Sequence, residues 1–561
     1  MFRFLPLLLI LCIWIISSTI TGIYKTQWIP LPLIGGFIVL FLLSPWVIII
    51  NSILHRMNPH KTSSETIYID DRQDIPRNQE NSEQLLQQKQ KNPNTINSSN
   101  ISNIETPRIL VANFECSTYI DETNRTVSSI KKQGISGTGL FTKGNWDFAM
   151  VGLTTLLWKH GNKTLSETAT NNILSLLPEG GIPKTKVYYT LGRVFDTENH
   201  ILMHVSSQYL ANFYRHHINN SKMKKHNNNS NGLKEWLLGY LQHIRYNGFY
   251  EFNSIPYESY ALHSILNLAG FADTNVKTLA ITILDERLER FCYSSFMYRH
   301  SGPFRRQLKR TDLDKLERSR ILPLVDLYTG KIIRDNGDQL AEMACCIPYI
   351  PPKHIIDSLD RNNEYFYTVL YGHGLLASPE IYSGGPGYTL CAGGVYRGMT
   401  ERIVNRSILL LLNDNSVYEN DCFHIKGKNN NTGVYNGFAV GKGKVHIPSD
   451  VKPIYHNKYW NIYKKANCVI CVGSGCFVVY PENDVQNVKT LLEKLPTMNN
   501  TTKEFQDPIR KEIIKFQTNS WRFLWVITNK DNRFFDFWNL YQKQPKILQN
   551  KKTKIDKTDN V

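Results

Sequence analysis

Two almost uninterrupted apolar runs open the chain, Phe4 to Ile20 and Trp28 to Ile50. A bilayer core of ~30 Å needs about 20 such residues in a helix. The pattern therefore predicts a transmembrane hairpin over residues 1–56, with helices at 4–23 and 28–50. The first run also has the form of a signal peptide, with Arg3 ahead of it and Ser17, Ser18, Thr19, Thr21 and Gly22 near its end. An uncleaved hairpin is the preferred reading. Arg3, Arg56 and Lys61 would place the following domains in the cytoplasm by the positive-inside rule. Sequons at Asn124, Asn162, Asn405, Asn430 and Asn500 would be used only in a lumen. The expectation is an integral membrane protein, N-terminally anchored in a lipid bilayer, with the side of its other domains open.

From 57 to 105 the composition turns to Asn, Gln, Ser, Asp and Lys without an apolar period, as in QLLQQKQKNPNTINSSN. Such a stretch buries too little surface to offset chain entropy, and a disordered linker is predicted. Over 106–392 apolar residues recur at helical spacing, in WDFAMVGLTTLLWKHG, ENHILMHVSSQYLANFYRHH, LKEWLLGYLQHIRYNG and SYALHSILNLAGFAD. Short turns with Gly, Pro or Asn separate them. That succession predicts an α/α toroid, an incomplete barrel of helix hairpins. Over 393–542 short alternating runs such as NRSILLLLND, GVYNGFAVG, CVICVGSG, CFVVYPE and SWRFLWVIT predict an antiparallel β-sandwich-like domain. Residues 543–561 read as a disordered basic tail. The expected class is thus multidomain α + β, with transmembrane helices, a toroid and a C-terminal β domain.

Length and charge limit the function classes. The 561 residues allow about three units at ~150 residues each. Lys and Arg number 65 against 48 Asp and Glu, a net charge of +17. Excess positive charge attracts acidic partners of several kinds. The basic residues are dispersed and no nucleic-acid module signature is present, so nucleic acid is not expected as a partner. Ten cysteines are too few over this length for a disulfide framework. Cys468 and Cys471 have the spacing of a zinc knuckle, with Cys476 beyond. Their neighbours alternate and are β-branched or aromatic, and no second CxxC follows. Buried strand cysteines are preferred, with no metal and no cofactor.

Candidate chemistry gathers in a few stretches. Asp196-Thr197-Glu198-Asn199-His200 begins a helix, with Asp196 or Thr197 as N-cap and Glu198 in the first turn. Asn199 and His200 could present an amide and an imidazole to a cleft, or could simply belong to a capped helix. The run from Asn247 to Tyr260 is a loop entering the next helix, since the residue before Pro256 is biased away from helix. Its Asn253, Tyr257 and Glu258 offer hydrogen-bonding groups, while its aromatics serve equally as core anchors. The Gly-rich run from Tyr371 to Arg397 carries His373, Glu380, Tyr382 and Arg397 at the junction of helical and β regions, where clefts commonly bind ligands. Arg305 and Arg306 follow a Pro-Phe and could grip a carboxylate by two bonds.

Taken together these residues resemble the α/α-toroid polysaccharide lyases with a C-terminal antiparallel β domain, the heparinase II/III-like and alginate lyase grouping. The blocks TENHILM, FYEFNSIPYESYALHSILNLAGFAD, GPFRRQ and SPEIYSGGPGYTLCAGGVYRG carry the likeness, which spans most of 106–528. It implies β-elimination on a uronate-containing acidic polysaccharide or oligosaccharide. Asn199 and His200 would neutralise the C5 carboxylate. Tyr257 would be the acid and also a candidate base, a task that needs its ordinary pKa of ~10 lowered. Glu198, Asn253, Arg305, Arg306, His373, Glu380, Tyr382 and Arg397 would bind substrate. A glycoside hydrolase would instead use paired carboxylates from Glu198, Glu251, Glu258 and Glu380. A third reading is a catalytically inactive, membrane-anchored carbohydrate-binding protein.

Overall fold

The computed structural model describes residues 79–91, 105–137, 146–183, 196–249, 253–254, 257–300, 302, 315–316, 321–329, 339–371, 378–393, 408–425, 433–441, 443–499, 502, 504–517, 524–527 and 534–536. All of them fall within one compact unit, Tyr68–Thr185 with Asp196–Val561.

The helical part begins with α1 (Gln79–Lys89), α2 (Glu105–Glu115), α3 (Ile120–Ser129), α4 (Trp146–His160), α5 (Glu167–Leu176), α6 (Glu198–His217), α7 (Leu233–Asn247), α8 (Glu258–Phe271) and α9 (Thr274–Tyr293). α10 (Leu322–Thr329), α11 (Gln339–Cys346) and α12 (Lys353–Asp357) follow. α4 is apolar almost all round and is buried along nearly its whole length, as a helix inside a core must be. Local signals set several ends: Ser166 caps α5 by accepting from the Ala169 amide, and Asp273 stands at the N-cap of α9.

Four of these helices run in one direction. Glu115 and His160 meet at the ends of α2 and α4, 3.0 Å apart. Asp147 and His200 meet at the starts of α4 and α6, and Trp158 and Phe213 stack near their ends. Phe148 meets Tyr260 at the starts of α4 and α8, whereas Trp158 stacks on Phe271 at their ends. The N-terminal ends of α4, α6 and α8 therefore share one end of the helical layer.

Two six-stranded antiparallel sheets follow. One is built from the strands Tyr365–Tyr371, Ser378–Gly385, Tyr388–Gly393, Ile408–Leu412, His424–Ile425 and Val445–His446. The other contains Gly433–Tyr435, Phe438–Val440, Tyr455–His456, Asn461–Lys465, Cys468–Gly473 and Cys476–Pro481. Their inner faces share one apolar core, with Leu390, Ile408 and Leu410 from the first and Val469, Cys471 and Val478 from the second. Cys468, Cys471 and Cys476 are buried strand residues, and burial pushes the Cys468 and Cys476 thiols up to about 12. A four-stranded antiparallel sheet lies C-terminal to these, in the range 504–536.

The expected class is corrected at its N-terminal end. Both runs at 4–23 and 28–50 lie outside the described residues. Among the described residues no helix is long and apolar enough to cross a membrane. The two 20-residue helices have the length, but α9 alone carries Lys277, Asp285, Glu286, Arg287, Glu289 and Arg290. The structure is mixed α+β, helices with antiparallel sheets, and the expected integral-membrane placement and bilayer contact find no support in it. Strands also begin ahead of the expected boundary at 393, first as the short antiparallel pair Ser295–Phe296 and Arg299–His300 and then with Tyr365–Tyr371. Within the expected linker, α1 is a helix whose Leu85 and Leu86 are buried in the helical core. The tail at 543–561 lies outside the described residues.

A buried ion pair closes the helical core. Arg108 of α2 donates Nε to Glu342 Oε2 of α11 at 3.1 Å and pairs again through Nη2. Lys89 of α1 stands 3.7 Å from the same carboxylate. Breaking one partner strands a charge away from water. Glu342→Ala is expected to lower the unfolding free energy by about 3–5 kcal/mol, read from urea denaturation. Arg108→Met combined with Glu342→Leu should recover most of that loss.

Candidate active site

α4, α6 and α8 each start with buried polar groups. Asp147, the second residue of α4, is fully buried. Its Oδ1 accepts from the Gly137 amide at 3.1 Å, and its Oδ2 lies 2.5 Å from His200 Nδ1. That bond fixes the imidazole's orientation and puts Nε2 on the side of the ring opposite Asp147, the arrangement by which a carboxylate orients a functional histidine. Phe148 packs against both His200, at 5.4 Å, and Tyr260, at 4.4 Å. The ring chain thereby joins the starts of α6 and α8.

Asn199 stands beside His200. Thr197, at the N-cap of α6, donates its hydroxyl to Asn199 Oδ1 at 2.6 Å. The amide nitrogen Nδ2 is buried and has no hydrogen-bond partner among the described residues. Buried donors are nearly always paired, so an exception marks a place where a ligand could complete the bond. One turn further on, burial holds the His204 imidazole below its usual pKa range; Asp147 and Asp196 oppose that shift and Lys132 adds to it. Tyr257, half-buried, precedes the first helical residue of α8, its amide donating to Ser254 O at 3.2 Å.

A second group lies behind this corner. Arg287 of α9 donates Nε to Glu258 Oε1 at 2.6 Å and Nη2 to Asn253 Oδ1 at 2.7 Å. Asn253 Nδ2 donates to Glu380 Oε1 at 2.5 Å, and the Tyr382 hydroxyl donates to Glu380 Oε2 at 2.8 Å. All five side chains are buried. Gly302 sits against the cluster: a Cβ there would fall 2.6 Å from the Tyr382 hydroxyl and 2.9 Å from Asn253 Nδ2. Burial pushes the Glu380 carboxyl up to about 7, against the pull of Arg287, the Tyr382 hydroxyl and Arg290.

Asn199, His200 and Tyr257 thus come to one end of the helical layer, with Glu198 half-buried at the first position of α6. Asn253, Glu380 and Tyr382, expected to bind substrate, are turned into an internal network, and both ends of the Asn253 amide are occupied there. Arg305, Arg306, His373 and Arg397 lie outside the described residues. Three residues were not foreseen: Asp147, His204 and Arg287. A charge at the second position of an apolar helix pointed to Asp147. Arg287 shares the buried face of Leu284, Leu288 and Phe291, three residues on from Leu284, a spacing that places it on the core side.

No family model matches the chain, and no curated protein matches it.

Glu380 makes stability depend on pH. Its folded-state pKa lies above the ordinary 4.5, so between about 4.5 and 7 the folded chain binds the extra proton. Its stabilising contribution is fully present below that window and is lost as the pH rises through it. Urea midpoints of wild type and Glu380→Gln, measured from about pH 5 to about pH 8, should shift progressively in favour of the variant. A constant gap would contradict the assignment.

Proposed function

We propose that the chain is a polysaccharide lyase that cleaves uronic-acid-containing glycans by β-elimination. The observation that carries this reading is the unpartnered, buried Asn199 Nδ2 beside the His200–Asp147 pair, at the helix end where Tyr257 stands. The sequence resemblance supplies the substrate class.

Elimination at a uronate requires the C5 carboxylate to be neutralised, so that the proton on C5 becomes acidic. Asn199 Nδ2 and the His200 ring would donate to that carboxylate as negative charge develops, the kind of preorganised stabilisation that contributes a few kcal/mol per donor. A Tyr257 oxygen that has lost its proton takes the one at C5. The C4–O4 bond then breaks, C4 and C5 become doubly bonded, and the proton passes from Tyr257 to the departing O4. The tyrosine ends as it began. The hydrolytic alternative needs two carboxylates facing a sugar; Glu258 and Glu380 are instead buried and bonded to Arg287, Asn253 and Tyr382.

The test offers the full chain a panel of alginate, glucuronan, hyaluronan and heparan-type polymers and follows near-ultraviolet absorbance of the unsaturated uronate. Asn199→Ala should lower kcat about 10²–10³-fold, as loss of one preorganised donor does. Tyr257→Phe should lower it about 10²–10⁴-fold. New reducing ends without ultraviolet absorbance would replace elimination by hydrolysis.

A further inference from the structure

We infer that Arg287 is the positioning residue of this site, holding the turn that presents Tyr257 through the buried chain Glu258–Arg287–Asn253–Glu380–Tyr382. The inference rests on the lyase reading for its kinetic readout, while its structural readout stands apart from that reading.

The geometry is specific. Arg287 grips both ends of a single corner: Asn253 before it through Nη2, and Glu258 after it through Nε. Tyr257 lies between those two anchors. Inside the corner the Tyr257 and Glu258 amides both donate to Ser254 O, at 3.2 and 3.0 Å. Asn253 itself has φ +50°, in the left-handed region that Asn enters more readily than other side chains, and its amide is anchored with Oδ1 on Arg287 and Nδ2 on Glu380. Glu380 belongs to the strand Ser378–Gly385, so the corner is referenced to the sheet as well as to α9. Arg287 touches neither substrate nor reacting atoms in this arrangement; it acts through Tyr257.

Proton gain or loss on Glu380 enters the same chain. Among the described residues, the charged or titratable groups acting on it are Arg287 and Arg290 from α9, Tyr382 from its own strand and Glu258 from α8. An ionised Glu380 accepts from Asn253 Nδ2 and Tyr382 together. The protonated form carries a hydrogen of its own and holds the Asn253 amide less strongly, because charge-assisted bonds are roughly twice as strong as neutral ones. The corner is therefore held more firmly above the Glu380 titration than below it.

Two variants of the full chain test this. In Arg287→Gln, kcat on the uronate polymer should fall about 10²-fold, the cost of a misplaced catalytic group, with KM changed by less than about threefold. Millimolar guanidinium should restore part of kcat in Arg287→Ala. Unchanged kcat in a variant with wild-type circular dichroism would overturn the inference. Because Arg287 variants strand Glu258, Glu380→Gln is the milder second probe. With fluorotyrosine incorporated and the Tyr257 resonance assigned by its loss in Tyr257→Phe, that resonance should titrate with a midpoint near pH 7 in wild type and stay put in Glu380→Gln. A resonance that does not move in wild type, or that moves equally in both, sinks the inference. A wild-type chain that makes no unsaturated product yet shows the titration would end the lyase reading and keep the positioning chain.

Discussion

Taking an ionised side chain out of water costs several kcal/mol unless it is paired and hydrogen-bonded, and this constraint governs how the helices find their neighbours. Arg287 is only 3% exposed, and Arg108 and Glu342 are 1% exposed each. Several such groups are met by partners distant in sequence: Arg287 by Glu258 and Asn253, Arg108 by Glu342, Asp147 by His200, Asp285 by the Tyr349 hydroxyl. Arg299 does the same between the helical part and the first sheet, donating to Asp414 and to the Ser416 and Leu412 carbonyls. Apolar helix faces could slide past one another by a turn and stay buried. A charge that must meet one particular atom cannot.

The interior between α4 and α8 obeys the same requirement without charge. Thr155 gives its hydroxyl proton to Asn267 Oδ1 at 2.8 Å. His263 Nε2, 2.9 Å from the Thr155 hydroxyl oxygen, must then donate to that oxygen. The opposite nitrogen, Nδ1, is left as a buried acceptor with no partner among the described residues. Burial drives the His263 pKa down to about 3, so the ring stays neutral at physiological pH. Its neighbour Asn267 donates on to the Val151 carbonyl at 2.9 Å. A polar seam runs along the contact of two helices whose apolar residues alone would not set their register.

Much of this could be read from the sequence, but unevenly. Helical periodicity located α4, α6, α7 and α8, because each buries a stripe of large apolar residues. The alternating runs around Cys468 and Cys476 located the central hairpin of the second sheet. The strand Tyr365–Tyr371 escaped, since YFYTVLY is aromatic enough to pass as the end of a helical region, and only pairing with Ser378–Gly385 settles its state. α1 escaped because its two leucines stand within a polar run and find their partners in a core assembled far along the chain. Asn199, His200 and Tyr257 stood out in the sequence only through the resemblance, and the structure brings the helix starts that carry them to one end of the helical layer. Asp147 and Arg287 had no motif, and their meaning appears only when α4 meets α6 and α9 meets α8.

The contrast between two asparagines shows why residue type alone cannot separate a site from its scaffold. Asn199 lies in the first turn of α6 and Asn253 in the turn ahead of α8, and both are buried. Asn253 commits both ends of its amide, the nitrogen donating to Glu380 and the oxygen accepting from Arg287, so its orientation is set by the scaffold. Among the described residues Asn199 uses only its oxygen, on Thr197, and an unmade bond of a buried donor costs about 1–3 kcal/mol. The two residues share type and burial and differ in bonding: Asn253 is tied to Glu380 and Arg287, while the Asn199 nitrogen is left open among the described residues.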